Sequence, residues 1–297
     1  MKKLTVFILT ACLMGSAAFG AENYWTGASG DNDWMTAGNW GNGTSTPAGT
    51  LPGTTTDRAN ISLNGSVVNI FSGSSASAQQ VDVGWNTASG TNTLNIFGNL
   101  NVVKNWRVGS QTGGGQVSIM NVDGGTLTNN LGFGSAATDG VAHVGRYGLG
   151  TLNITNDGLV QINNSLVTSG KEDGYGMINL IDGTLQANGW RAFEATSVAG
   201  IDVVRGARSR HQMDITGGKL LLQNDRLIQM WDFANAGVIT GYGEAGYGSG
   251  HNLQIRLVEG YFLNGSWGVM TEVTAIPEPA TMMLLGLGSL ILVKRKK

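Results

Sequence analysis

The segment Leu94-Asn95-Ile96-Phe97-Gly98-Asn99-Leu100 returns in altered form at four later places. The later copies are Ile119-Met120-Asn121-Val122-Asp123-Gly124-Gly125-Thr126-Leu127, Thr151-Leu152-Asn153-Ile154-Thr155-Asn156-Asp157-Gly158-Leu159, Ile178-Asn179-Leu180-Ile181-Asp182-Gly183-Thr184-Leu185 and Met213-Asp214-Ile215-Thr216-Gly217-Gly218-Lys219-Leu220. Each is a short alternating run, a turn ending in glycine, and a second short run. The aligned glycines 98, 125, 158, 183 and 218 lie 27, 33, 25 and 35 residues apart. A related pair, Val83-Gly84, Val108-Gly109 and Val144-Gly145, introduces three of the units. Period-two alternation punctuated by Gly reads as strands and turns. No stretch within 22–276 shows a sustained helical period. Self-similarity at about 25–35 residues means one supersecondary unit per repeat, completed by its neighbours. The expected fold is all-β: a parallel β-solenoid, or β-helix, with an N-terminal signal helix and a C-terminal hydrophobic helix. A β-sandwich also spaces strands regularly, but gives no reason for Gly-Thr-Leu segments to recur.

Stacked coils also account for the composition. Gly makes up 47 of 297 residues, and charged residues are 13% against about 25% in ordinary domains. In-register strands about 4.8 Å apart set like charges directly over one another, whereas Asn, Thr and Ser can pair along the stack. Gly supplies the positive φ of tight corners. At about 25 residues per coil, 22–274 would hold roughly ten coils in a rod of about 50 Å at that spacing.

Setting aside Lys2, Lys3 and Lys294–Lys297, 12 basic residues face 19 acidic ones over Glu22–Ile276, a net charge near −7. Such a surface does not steer toward nucleic acid.

The start, with Lys2-Lys3, an apolar stretch Leu4–Met14 and then small residues, is a secretory signal peptide addressed to the Sec translocon. Cleavage after Ala18 and after Gly20 both fit. Leu9-Thr10-Ala11-Cys12 resembles a lipoprotein cleavage box, but the apolar run before Cys12 is short. Cys12 is the one cysteine, so a chain cut at either place has neither disulfide nor thiol nucleophile.

At the other end, the run Ala280–Val293 carries no charge. As a helix it would cover roughly 21 Å, short of the roughly 30 Å hydrocarbon core. Lys294, Arg295, Lys296 and Lys297 would stay on the cytoplasmic side. Pro277 and Pro279 keep Glu278 extended. The ordered set Pro277-Glu278-Pro279, Ala280-Thr281, apolar run and basic end resembles the PEP-CTERM sorting signal of Gram-negative bacteria. That resemblance implies removal of the tail by an exosortase-type membrane transpeptidase, transient inner-membrane association, and delivery to the cell surface or extracellular matrix, beside exopolysaccharide. A plain C-terminal anchor helix is the alternative.

Trp25, Trp34, Asn39-Trp40, Pro52 and Asp57 resemble the opening of autotransporter-like bacterial β-solenoids. A solenoid end exposes strand edges and core, so it needs a cap. Trp25, Trp34 and Trp40 are expected to supply one; exposed indole faces would instead stack on sugars. The expected organisation is a signal peptide at 1–20, a Trp-rich cap and first coils at 21–80, repeats at 81–230, a C-terminal cap at 231–274 and the sorting signal at 275–297.

Little in the chain points to chemistry. His143, His211 and His251 stand in no metal-ligand spacing, and no nucleophile elbow, phosphate loop or dinucleotide fingerprint occurs. Asp31-Asn32-Asp33 and Glu172-Asp173-Gly174 lack the spacing of a calcium loop. Arg205, Arg208, Arg210 and His211 form the sharpest enzymatic candidate, since Arg208 and Arg210 would share a strand face and grip a uronate carboxylate. Thr54-Thr55-Thr56 and Thr126-Leu127-Thr128 are too isolated for an ice-binding array. The expectation is an exported structural or adhesive protein with no catalytic residues, metal or cofactor. Its carbohydrate contacts would fall at Trp25, Trp34, Trp40, Arg205, Arg208 and Arg210. A polysaccharide lyase or hydrolase on the same fold is the alternative.

Overall fold

The computed structural model describes residues 22–42, 49–53, 57–85, 90–110, 117–130, 140–169, 174–191, 212–248 and 250–277. The expected signal helix and tail helix lie outside them.

Short alternating runs do form strands, and the strands fall into three stacks. The first holds Val67–Ile70, Thr91–Ile96, Val117–Asp123, Leu149–Thr155, Tyr175–Leu180, Met213–Ile215 and Ile239–Gly241, hydrogen-bonded in that order and all parallel. The second runs from Ser75–Ala78 through Asn99–Val102 and Thr126–Asn129 to the first half of Gly158–Thr168, then Gly183–Arg191 and Lys219–Gln223. The third runs from Glu22–Trp25 through Arg58–Ile61, Gln80–Val83, Trp106–Val108 and Ala142–Val144 to the second half of Gly158–Thr168. That long strand passes through both stacks, with an irregularity between Ile162 and Ser165, and joins them into one sheet. The chain visits the stacks in rotation: first at Thr91–Ile96, second at Asn99–Val102, third at Trp106–Val108, then first again at Val117–Asp123.

The repeat read from the sequence is the register of the stacks. Leu94, Met120, Leu152 and Ile178 are successive partners, as are Ile96, Val122, Ile154 and Leu180, and all eight are fully buried. Val83, Val108 and Val144 align in the third stack. Inward side chains therefore form continuous apolar rows, each worth about 1.5–3 kcal/mol per fully buried Leu, Ile or Val. The outward positions carry a row of amides. Asn95 Nδ2 donates to Asn69 Oδ1 at 2.8 Å, and Asn121, Asn153 and Asn179 each donate to the preceding member at 2.7 Å. Each amide both donates and accepts, which suits an identical neighbour above and below. Asp214, next in register, has no such donor, and the row ends there; its Oδ1 accepts from Thr240 Oγ1 and Gly243 N.

The aligned glycines mark corners where successive turns touch. A Cβ on Gly125 would stand 2.4 Å from Ile96 O, on Gly158 2.4 Å from Val122 O, and on Gly183 2.3 Å from Gly158 O. The repeat keeps glycine because backbone of the previous turn fills that space.

Register partners in the first stack run Asn69, Asn95, Asn121, Asn153, Asn179, Asp214 and Thr240. Seven strands make six steps, or about 29 Å at about 4.8 Å each. The first stack is not the whole rise, because the third begins two strands earlier, at Glu22–Trp25 and Arg58–Ile61; the described strands fall somewhat short of the roughly ten coils and rod of about 50 Å expected. Every step in the first-stack series is longer than the coil assumed from the sequence, and both end segments are spent on caps. At the start, Glu22–Trp25 pairs antiparallel with Trp40–Asn42. At the far end stand a helix, Leu227–Asn235, and a hairpin of Leu253–Tyr261 with Trp267–Ala275. The helix is a second correction, since no helical period was expected. Its nine residues are too few to show one, though Met230, Phe233 and Ala234 lie at the spacing of a buried helix face. It stops at Gly237, whose φ of 70° ends the helical run.

Candidate functional site

The C-terminal segment is held by the hairpin that closes the second stack. Its last strand, Trp267–Ala275, pairs antiparallel on one side with Lys219–Gln223 and on the other with Leu253–Tyr261. Arg256 and Glu272 are directly opposite and joined through Nη2 and Oε1 at 2.6 Å. Ala275 is still in register with Leu253, and Ile276 N donates to Asn252 O at 2.8 Å. Asn252 is itself buried, with Nδ2 donating to Glu244 Oε2 at 3.2 Å. Pro277, the next residue, is exposed. Proline lacks an N–H, so strand pairing loses its donor where the Pro-Glu-Pro triplet begins. The folded body therefore holds the chain through Ile276, and its strand pairing stops before the exposed Pro277. Glu278, Pro279, Lys294, Arg295, Lys296 and Lys297 lie outside the described residues.

The three N-terminal tryptophans are buried: Trp25 is 4% exposed, Trp34 1% and Trp40 0%. Trp40 packs edge-on against both others, with ring centroids 5.2 Å from Trp25 and 4.7 Å from Trp34. Its Nε1 donates to Trp34 O at 2.8 Å. None of these three indole faces is free for a sugar, so the carbohydrate-contact expectation at Trp25, Trp34 and Trp40 is corrected in favour of a cap. The neighbouring Asp31 has a structural partner set. Thr36 Oγ1 donates to it at 2.6 Å, and the Asp33 N–H and Asn39 Nδ2 also point at it. These bonds, Thr36 foremost, hold its carboxyl below the usual range. Among the described residues no group of three His, Cys, Asp or Glu could hold a metal ion.

Arg205, Arg208, Arg210 and His211 fall outside the described residues, as do Glu172 and Asp173. His143 is mostly buried, in register with Arg107, and His251 is exposed.

The third stack holds a charged cluster that sequence reading did not single out. Asp82 is fully buried. It accepts from Arg58 Nε of the preceding turn, from Gln80 Nε2 at 2.6 Å, from Ser110 Oγ at 3.2 Å, and from Arg107 Nη1 of the following turn at 3.4 Å. Arg58 also lies over the Trp85 ring, 4.2 Å from its centroid. Burial, opposed by Asp82, pulls the Arg107 guanidinium below its ordinary value. Charges stacked between turns here alternate in sign. The signal was available in the spacing: Arg58, Asp82 and Arg107 stand about one repeat apart.

No helix among the described residues is long and apolar enough to cross a membrane. Residues 275–297 match the PEP-CTERM protein-sorting motif. No curated protein and no solved structure matches the chain. The motif implies an exported protein that is processed at the membrane by an exosortase-type enzyme and reaches the cell surface.

Proposed function

We propose that this exosortase-sorted chain is a non-enzymatic β-solenoid scaffold of the cell surface or extracellular matrix, with an adhesive role toward exopolysaccharide. The observation that carries the reading is the continuous parallel register from Asn69 to Asp214. Along it, inward residues fill the rows between turns and outward amides join one turn to the next. Such a body suits a rigid spacer that holds a surface away from the envelope. The buried tryptophans fit the capped end of an autotransporter-like opening. The anchored Ile276 and exposed Pro277 fit a tail offered to a membrane transpeptidase while the body is already folded. Sec-dependent export and a passing inner-membrane stage belong to the same reading.

The test is fractionation of the producing cells, followed by incubation of the purified protein with acidic and neutral polysaccharides. The scaffold reading predicts protein in the surface or matrix fraction and no new reducing ends or unsaturated products. Product release that scales with protein concentration would replace it with a lyase or hydrolase.

A further inference from the structure

A cleft of about 260 Å³ lies between the second stack and the turn of the C-terminal hairpin. Its floor is built of outward side chains from consecutive turns. Gln161 and Gln186 are register partners, and Asn130 and Asn163 flank them. Its roof is the turn, with Tyr261, Phe262 and Leu263. The turn is preformed: Phe262 N donates to Ser266 O at 2.8 Å and Gly265 N to Phe262 O at 2.9 Å. Gln186 Nε2 donates to Tyr261 O at 3.2 Å, which ties roof to floor. Tyr261 and Trp267 meet edge to face at 4.8 Å, yet stay 68% and 58% exposed.

No charged residue lines this cleft among the described residues. The floor offers amides, each carrying donors and an acceptor. Gln161 Nε2 is directed to Gln186 Oε1 at 3.4 Å and Asn130 Nδ2 to Asn101 Oδ1 at 2.6 Å, leaving the acceptor oxygens of Gln161 and Asn130 for a ligand. A polyhydroxylated chain presents hydroxyls that donate and accept in equal measure, and ring faces of C–H that lie against aromatic side chains. A polyanion would need cations here, and an extended peptide would need an unpaired strand edge, which the paired floor does not supply.

We propose that this cleft is a binding site for an uncharged glycan, with the amide oxygens of Gln161 and Asn130 and the amide of Asn163 reading hydroxyls, Gln186 holding roof to floor, and Tyr261 taking a sugar face. The volume falls just below the range of about 300 Å³ upward of ordinary small-molecule clefts, so it holds a short segment of a longer chain. The proposal rests on the scaffold reading and gives it a ligand class.

The test is affinity electrophoresis of the exported protein in gels containing soluble neutral glucans, mannans or galactans, with alginate and polygalacturonate as acidic comparisons. Wild type, Tyr261→Ala and Asn163→Ala are run side by side, and thermal melting is recorded for each. Retardation by a neutral polymer is expected, with the dissociation constant weakened about tenfold in Tyr261→Ala and severalfold in Asn163→Ala, at unchanged melting temperature. Retardation by acidic polymers alone, by no polymer, or equally in all three proteins overturns the cleft assignment and leaves the scaffold reading standing. Depolymerisation of the gel polymer would instead overturn the scaffold reading, whatever the two variants show.

Discussion

Asp82 shows how few charges this architecture tolerates and on what terms. A carboxylate with no exposed surface is kept by guanidinium groups from the turn before and the turn after, with Gln80 and Ser110 occupying its remaining sites. Removing one partner of a buried ion pair leaves the other charge uncompensated. Asp82→Ala is expected to destabilise the protein by about 3–5 kcal/mol, read as a lower urea midpoint at unchanged slope. A loss under about 1 kcal/mol would mean that Arg58 and Arg107 find water instead. Glycine acts at the same scale for a different reason. Gly125 has neighbouring backbone where a Cβ would go, whereas Gly73, at φ +80°, has open space around it. Gly125→Ala should cost about 3 kcal/mol, because backbone on two turns must move. Gly73→Ala should cost only the left-handed strain, about 1 kcal/mol. Equal losses in the two melting curves would contradict the corner packing.

At the scale of the element, the outward amides tie one turn to the next. Asn121 donates to Asn95 and accepts from Asn153. Asn121→Ala removes both bonds on a half-buried face and should cost about 1–2 kcal/mol. Hydrogen exchange would locate the loss in the strands at Thr91–Ile96 and Leu149–Thr155; protection unchanged there would show the row to be incidental. These strands were legible because an inward Leu or Ile, an outward Asn and a corner Gly recur as a unit, and each position has one physical reason to recur. The third stack was harder to read. Most of its strands are short, and its register partners change in type, from Asn60 to Asp82 to Arg107. The helix at Leu227–Asn235 was missed because nine residues carry too short a period, and its burial against the end of the stack is a tertiary effect. The cleft was invisible for a similar reason. Gln161 and Gln186 are aligned by the repeat, but Tyr261 reaches them only after the hairpin folds back.

The whole molecule joins a capped stack to a detachable end. The buried tryptophans cover one end, and the helix and hairpin cover the other. The hairpin has a second task, because its last strand carries strand pairing up to Ile276, where the sorting triplet is about to begin. The sorting motif over 275–297 thus begins inside the folded edge, at Ala275 and Ile276. A transpeptidase cutting near the triplet would remove the apolar run and the basic end without disturbing a single described strand pair. The tail was the most legible part of the chain, since it is written as charge and apolar length in linear order and needs no tertiary contact. The most direct test of the account is the intact mass of the protein recovered from the cell surface. The account predicts a chain that has lost its signal peptide and ends close to Pro277-Glu278-Pro279. A surface protein that still carries Lys294–Lys297 would contradict it.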